Sequence, residues 1–396
     1  MLMVGVCLAW SCAGNREDRL MEKTGECLDF SVTQAMRMAE SLKDRPDRLP
    51  LTFEEGKLKT CSPSWWTSGF FPGSLWYLYE YSKHPELKEW AEHYTRRLLG
   101  QQYNMTTHDL GFMIFCSFGN AYRLTKDSVY RSVLYQATVS LSGRFEPSVG
   151  CIRSWEGAAW NKQWSYPVII DNMMNLEMLM WSARLFVNST FSDIARSHAE
   201  ATLKNHFRED GSSYQVVSYD TLTGSPQVKQ TFQGDSDESA WARGQAWGLY
   251  GYTMMYRETK EKTFLQQAER IADFIIHHQN LPEDKIPYWD FNAPDIPHSL
   301  RDVSAGAIIC SALLELCTYT APGKSLLYKD IAETQLEALC SDTYRACTPG
   351  ENGNFILRHS VGNLPAKTEV DVPLPYADYY FIEAMLRFRE LYRKDR

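Results

Sequence analysis

Pro167-Val168-Ile169-Ile170-Asp171-Asn172-Met173-Met174-Asn175-Leu176-Glu177-Met178-Leu179-Met180-Trp181 passes from an apolar tract through a carboxylate into a segment that is apolar almost all round. A helix of that kind has no face for solvent and must be enclosed by other protein. Five further segments read the same way: 66–81, 109–124, 238–256, 302–316 and 376–389. Between them lie 86–99, 128–141, 191–207, 263–277 and 326–339, each mixing charges with one apolar stripe, and 30–42 precedes the first. These segments should show one face to water. Six enclosed and six half-exposed helices in strict alternation predict an all-α fold, an (α/α)6 barrel of six inner and six outer helices. An open solenoid would share the alternation, but the long insertions before Asp171, Glu238 and Tyr376 make the repeat uneven and favour closure.

Alternation makes the six inner helices mutually parallel, so their N-termini meet at one mouth. Those ends bring free N–H groups and positive dipole ends together, which suits an anionic ligand. The insertion before the fourth inner helix predicts a small β-hairpin walling that mouth. Residues 212–219 and 227–232 alternate partly in polarity around the turn Asp220-Thr221-Leu222-Thr223-Gly224-Ser225-Pro226.

Composition narrows the function classes. The 396 residues carry 41 basic and 49 acidic side chains, a net charge of −8, with no basic run to attract nucleic acid. Twelve Trp and 22 Tyr suit either stacking on sugar rings or packing large helices. Ten Cys without C-x-x-C or C…H spacing spell neither a zinc site nor a disulfide framework. Phosphate cradles, His-rich metal spacings and Gly-x-Ser-x-Gly elbows are absent from the sequence. Residues 1–12 form a short apolar run resembling an export signal, and Leu8-Ala9-Trp10-Ser11-Cys12 loosely resembles a lipoprotein cleavage box. The expectation is a periplasmic protein whose only membrane link is a lipid on Cys12, with one barrel domain over 25–396.

Asp109 and Asp171 head consecutive inner helices and should be neighbours at the mouth. Two close carboxyls can divide the work of acid and base, because each raises the other's pKa. The competing reading is that each is an N-cap, and Asp302 and Asp237 invite the same reading. His108, Asn172 and Asn175 add hydrogen-bonding groups that capping does not need. Arg243, early in the fourth inner helix, requires an anion if buried: a substrate carboxylate, or Asp235, Asp237 or Glu238. Trp66 and Phe70 open the first inner helix, as a sugar-stacking wall or as core.

Four motifs in this order, Trp66-Thr67-Ser68-Gly69-Phe70, His108-Asp109-Leu110-Gly111-Phe112, Ile169-Ile170-Asp171-Asn172-Met173-Met174-Asn175 and Ser239-Ala240-Trp241-Ala242-Arg243-Gly244-Gln245-Ala246-Trp247, resemble glycoside hydrolase family 88, the unsaturated glucuronyl hydrolases. The resemblance runs from about Trp66 to Asp378-Tyr379-Tyr380-Phe381. It implies an (α/α)6 barrel, no metal or organic cofactor, and removal of 4,5-unsaturated uronic acid from the non-reducing end of lyase-made oligosaccharides of the glycosaminoglycan type. Under it Asp171 protonates C4 and activates water, Asp109 holds the ring and tunes that proton, and Trp66, Phe70, Gln233, Arg243 and Trp247 line the uronate subsite. Gln215 and Phe232 stand where the family pattern has His, which implies less cationic and more apolar recognition. The stretch from His359 to Lys367 is placed to meet the next sugar. Alternatives are an unsaturated rhamnogalacturonyl hydrolase acting on pectin fragments, and a sugar-binding or epimerase relative on the same barrel.

Overall fold

The computed structural model describes residues 3–156 and 164–394, with side chains from residue 16 onward. The export-like segment 1–12, with Cys12, lies outside the described side chains. Six outer helices, α1 (Met3–Leu42), α3 (Pro85–Arg96), α5 (Ser128–Ser142), α7 (Ser189–Asn205), α9 (Lys262–His277) and α11 (Pro322–Leu339), alternate with six inner ones. The inner set is α2 (Phe70–Ser82), a π-helix Gly111–Gly119 running into α4 (Asn120–Thr125), a 3-10 turn Ile170–Asn175 running into α6 (Leu176–Phe186), α8 (Ala242–Thr259), α10 (Val303–Leu316) and α12 (Pro375–Lys394). Each inner helix packs on the next, and α12 returns to α2, which closes the ring and excludes the solenoid.

The helices form where the apolar pattern places them, and their ends follow local chemistry. Asp127, Asn188 and Asp302 cap α5, α7 and α10 by accepting from Val129, Thr190 and Ser304 N–H groups, while Pro85 and Pro322 occupy first turns that need no donor. The packed body starts before residue 25: Leu20 is in the core, and Arg16 bonds Glu337 at 2.9 Å and Asp330 at 2.6 Å on α11.

Four inner helices start later than their apolar runs suggest. Residues 66–69 are turns, Asp109 is a turn residue just before its helix, 238–241 run from a turn into an isolated bridge with Asp290, and 170–175 is 3-10 rather than α. Four of the inner heads are therefore not regular α-helix at the mouth. The predicted hairpin is a three-stranded sheet: β6 (Val216–Tyr219) pairs with β7 (Pro226–Gln230) and also with β5 (Pro167–Ile169). Buried on every side chain, β5 is the apolar tract that leads into Asp171. Further short antiparallel pairs, β1 (Leu49–Glu54) with β2 (Lys57–Cys61), β3 (Phe145–Glu146) with β4 (Cys151–Ile152) and β8 (Ser360–Asn363) with β9 (Thr368–Val372), were not legible as hairpins. Their strands are too short, or too mixed in polarity, to show a period of two.

Candidate active site

Neither Asp109 nor Asp171 is a helix cap. The π-helix is preceded by Leu110 and the 3-10 turn by Ile169, and neither start has a side-chain cap. Asp171 is 8% exposed, and its Oδ2 has no hydrogen-bond partner. Burial pushes its pKa up to about 7, with Arg243 opposing and Asp109 adding to the rise. Asp109 Oδ2 accepts from Thr107 Oγ1 at 2.8 Å, and its Oδ1 lies 3.2 Å from His108 Nε2. Burial raises this carboxyl to about 7 as well, against the Thr107 bond and Arg144. Two carboxyls beside one another, Asp171 buried and Asp109 partly so, both pushed up toward neutrality, form a site able to give and take a proton.

The two segments are locked in register by polar groups that the sequence marked as surplus to capping. Asn175 Oδ1 accepts from Phe112 N–H at 3.1 Å, and Asn172 donates to the Ile152 carbonyl at 2.9 Å. Gly111 lets them close: a Cβ there would sit 2.6 Å from the Asn175 Cα. Gly69 does the same for α2, where a Cβ would fall 2.2 Å from the Phe112 carbonyl oxygen. Ser154 joins the pair from outside: its carbonyl meets His108 Nδ1 at 2.9 Å, its N–H donates to Pro167 O at 2.9 Å, and its Oγ accepts from Ile169 N–H at 2.9 Å.

Arg243 is 1% exposed, and its partner is none of the three carboxylates suggested by the sequence. Nη1 donates to Asp302 Oδ2 at 3.1 Å and to the Val361 carbonyl, Nη2 donates to the Gly362 carbonyl at 2.6 Å, and Nε has no partner. Asp302 thus caps α10 and also balances the guanidinium. Counting five N–H donors, the Nε edge remains for a planar anion. Asp237, read as a cap of α8, instead accepts from Thr231 N–H at 2.9 Å and fastens the end of β7.

Trp66 is half-buried, whereas Phe70 and Trp247 are fully enclosed. Trp66 meets Tyr376 at 5.1 Å and Phe112 at 5.7 Å between ring centroids, and Phe70 backs it at 6.0 Å. Phe70 therefore supports the aromatic wall instead of facing the opening. The Trp247 indole N–H has no partner within hydrogen-bond distance, yet it is near enough to lower the Asp171 pKa. Tyr376, which the sequence reading did not single out, joins these rings to Arg243, whose guanidinium carbon lies 5.4 Å from the Tyr376 centroid. Its position at the head of an inner helix was the available signal. Glu369 also escaped notice. It lies over Gly362, where a Cβ would come 2.5 Å from Glu369 Oε2, and burial lifts it to about 7 with Arg243 opposing.

Gln215, read from the resemblance as a substrate-binding position, is 3% exposed and fastens the rim. Its Oε1 accepts from Thr231 Oγ1 at 3.0 Å, Phe232 N–H at 2.7 Å and Gln233 N–H at 2.8 Å, and its amide donates to Gln233 Oε1 at 2.6 Å. That oxygen has no lone pair left for a ligand. Gln233 carries the link across the mouth by donating to the Gly362 carbonyl at 3.1 Å. Phe232 forms an apolar corner with Trp155 and Trp164, which stack on each other at 5.6 Å. Lys367 is exposed at the β8–β9 turn.

The family model described as Glycosyl Hydrolase Family 88 matches residues 37–386. An unsaturated glucuronyl hydrolase of Formosa agariphila is 45% identical over 331 residues, 83% of this chain and 81% of that protein. A second unsaturated glucuronyl hydrolase, from a Bacillus species, is 32% identical over 88% of this chain and 93% of its own length. The crystal structure of an unsaturated glucuronyl hydrolase specific for heparin superposes with a TM-score of 0.90 at 47% identity, covering 94% of this chain and 98% of that one. With the barrel, its paired aspartates and the family match all spanning the same residues, the chain belongs to glycoside hydrolase family 88.

Proposed function

We propose that this glycoside hydrolase removes 4,5-unsaturated uronic acid from the non-reducing end of glycosaminoglycan oligosaccharides made by lyases. The observation that carries the reading is Asp171: a buried carboxyl with an open oxygen, titrating near 7, beside Asp109. Protonated Asp171 gives its proton to C4 of the vinyl ether, and the positive charge at C5 is shared with the ring oxygen. A water then adds to C5 and returns its proton to Asp171, so the acid is regenerated. The product is a hemiketal, which opens and releases the remaining sugar. This differs from displacement at the anomeric carbon and needs one acid/base group rather than two carboxylates flanking the bond.

Asp109 holds the ring hydroxyls, Trp66 forms the exposed face of the aromatic wall, and the Nε edge of Arg243 takes the uronate. The heparin specificity of the 47%-identical relative supports heparin-lyase disaccharides as first substrates. The test is loss of the ultraviolet absorbance of the conjugated C4=C5 carboxylate on adding enzyme to heparin-, chondroitin- and rhamnogalacturonan-lyase products. Turnover of the pectin fragments alone would replace this reading with the rhamnogalacturonyl one. Binding without loss of the double bond in any of them would leave a glycan-binding relative.

The export-like residues 1–12 support placement in the periplasm, with Cys12 as lipid acceptor. Metabolic labelling with a fatty acid, lost on Cys12→Ser, is the expected result.

A further inference from the structure

We propose that the floor of the barrel, the end where the inner helices finish, is a docking face for an anionic lipid surface, so that the mouth points away from the membrane. The direction of α1 gives the first support. Asp18 accepts from the Tyr392 hydroxyl and the Met21 carbonyl accepts from Arg389 at 2.7 Å, both from the last turns of α12. Thus α1 leaves the barrel at the floor, and the apolar run of residues 1–12 lies upstream of that exit.

The surface around the exit matches a headgroup layer. Three inner helices end on a lysine in the left-handed region, Lys83, Lys126 and Lys260, with φ of 57°, 60° and 61°, where Gly or Asn is the usual residue. Compensating the helix dipole needs only a cation somewhere in the last turn. Each lysine is exposed and stands over tyrosine: Lys83 over Tyr79 at 5.8 Å, Lys126 over Tyr122 at 5.5 Å, and Lys260 over Tyr256 and Tyr319 at 5.4 and 5.0 Å. Ammonium tips above phenol rings suit the headgroup level of a bilayer.

Two strongly exposed apolar side chains lie at the same end. Val187, 91% exposed, follows α6, and Leu326, 70% exposed, is one turn before Asp330, the residue that Arg16 bonds where α1 departs. Acidic neighbours are engaged locally: Asp127 caps α5, Glu261 pairs with Arg196 and Glu390 with Lys394. On the α8 side of the mouth the exposed rim is acidic instead, with Asp235, Asp237, Glu238 and Asp295. A negative surface therefore attracts the floor and repels that rim.

The tether rests on the reading of residues 1–12 and Cys12, whereas the face does not, and hydrogen exchange on the full Cys12→Ser chain separates the two. With phosphatidylcholine vesicles that contain phosphatidylglycerol, loops 83–86, 125–128 and 259–262 should gain protection and the β8–β9 turn should not. Protection at the mouth, none anywhere, equal protection by pure phosphatidylcholine, or floor protection by intact heparin and not by vesicles overturns the proposal. Lys83→Glu, Lys126→Glu and Lys260→Glu together should weaken vesicle binding about a hundredfold, about fivefold per lysine. Their kcat/KM on soluble lyase disaccharides should stay within about twofold of the parent. Undiminished binding by that variant also sinks the idea, and if it does not fold the exchange data decide alone. A parent chain without fatty-acid label whose floor loops are still protected would remove the lipid and keep the face.

Discussion

The two ends of the barrel bore treat buried polarity in opposite ways. At the C-terminal ends of the inner helices, around a cavity of about 820 Å³, charge is dense and paired. Arg257 serves Glu177 and Glu315, Arg387 serves Glu315 and the Tyr250 hydroxyl, and Glu383 accepts from Tyr77, Tyr250 and Ser311. At the N-terminal ends, Asp171 Oδ2, His108 Nε2, Arg243 Nε, Trp247 Nε1 and the Tyr376 hydroxyl all lack partners. An unpaired buried polar atom costs about 1–3 kcal/mol, so a cluster of them persists where a ligand completes it. The floor has a cavity closed in by paired charge, and the mouth has the unfinished bonds. Chemistry follows the unfinished bonds.

The sharpest way to break that contrast is Asp171→Asn, which should lower kcat by on the order of 10²–10⁴ while leaving the circular dichroism spectrum unchanged. A variant that keeps its turnover would move the chemistry elsewhere. On the floor, Arg387→Met should do the reverse. Stranding Glu383 should cost about 3–5 kcal/mol in urea denaturation, with kcat per folded molecule within about twofold of the parent, inside the error of stability-only changes.

Stability against pH separates the ends again. Asp171 titrates higher folded, at about 7, than its ordinary 3.8. The folded state therefore binds the extra proton, and the contribution is intact at low pH and is lost as pH rises from about 4 through 7. Removing the group should stabilise the protein near pH 8, on the order of 1–4 kcal/mol, and change nothing near pH 4. Equal thermal scans of Asp171→Asn and the parent at the two pH values check this. The smallest effect expected is from Gln215→Leu, which frees the rim strand carrying Gln233. KM should rise about tenfold, the worth of one or two lost hydrogen bonds, with kcat little altered.

Helix periodicity made twelve helices legible because each must bury a stripe or a whole surface, and burial leaves a record in residue type. Asp109 and Asp171 were legible because carboxylates interrupt those records. Arg243 was seen, but its partner Asp302 lies 59 residues away on another inner helix, and no local pattern encodes that meeting. Glu369 and the β8–β9 pair stayed hidden for a related reason: a strand of four or five residues lying across a mouth carries too little periodicity to declare itself. Gln215 shows a different limit. Its position was recognised, but three donors from its own rim had already taken its oxygen. Asp378 shows that a carboxyl pushed to about 7 at a helix head is not enough: Ile356 and Leu357 N–H groups satisfy both its oxygens.

The return of α12 to α2 also sets when the enzyme comes into being. Tyr77 and Glu383, 306 residues apart, meet across that seam, and Tyr376 reaches the mouth from the same last helix. Loop-closure entropy grows only with the logarithm of chain length, so the seam costs a few kcal/mol, about 5 by the usual scaling. Order of synthesis matters more. Every other wall of the site is made before α12 emerges, so a growing chain has its two aspartates but no closed bore. Activity should switch on in one step, when the final twenty residues of helix dock.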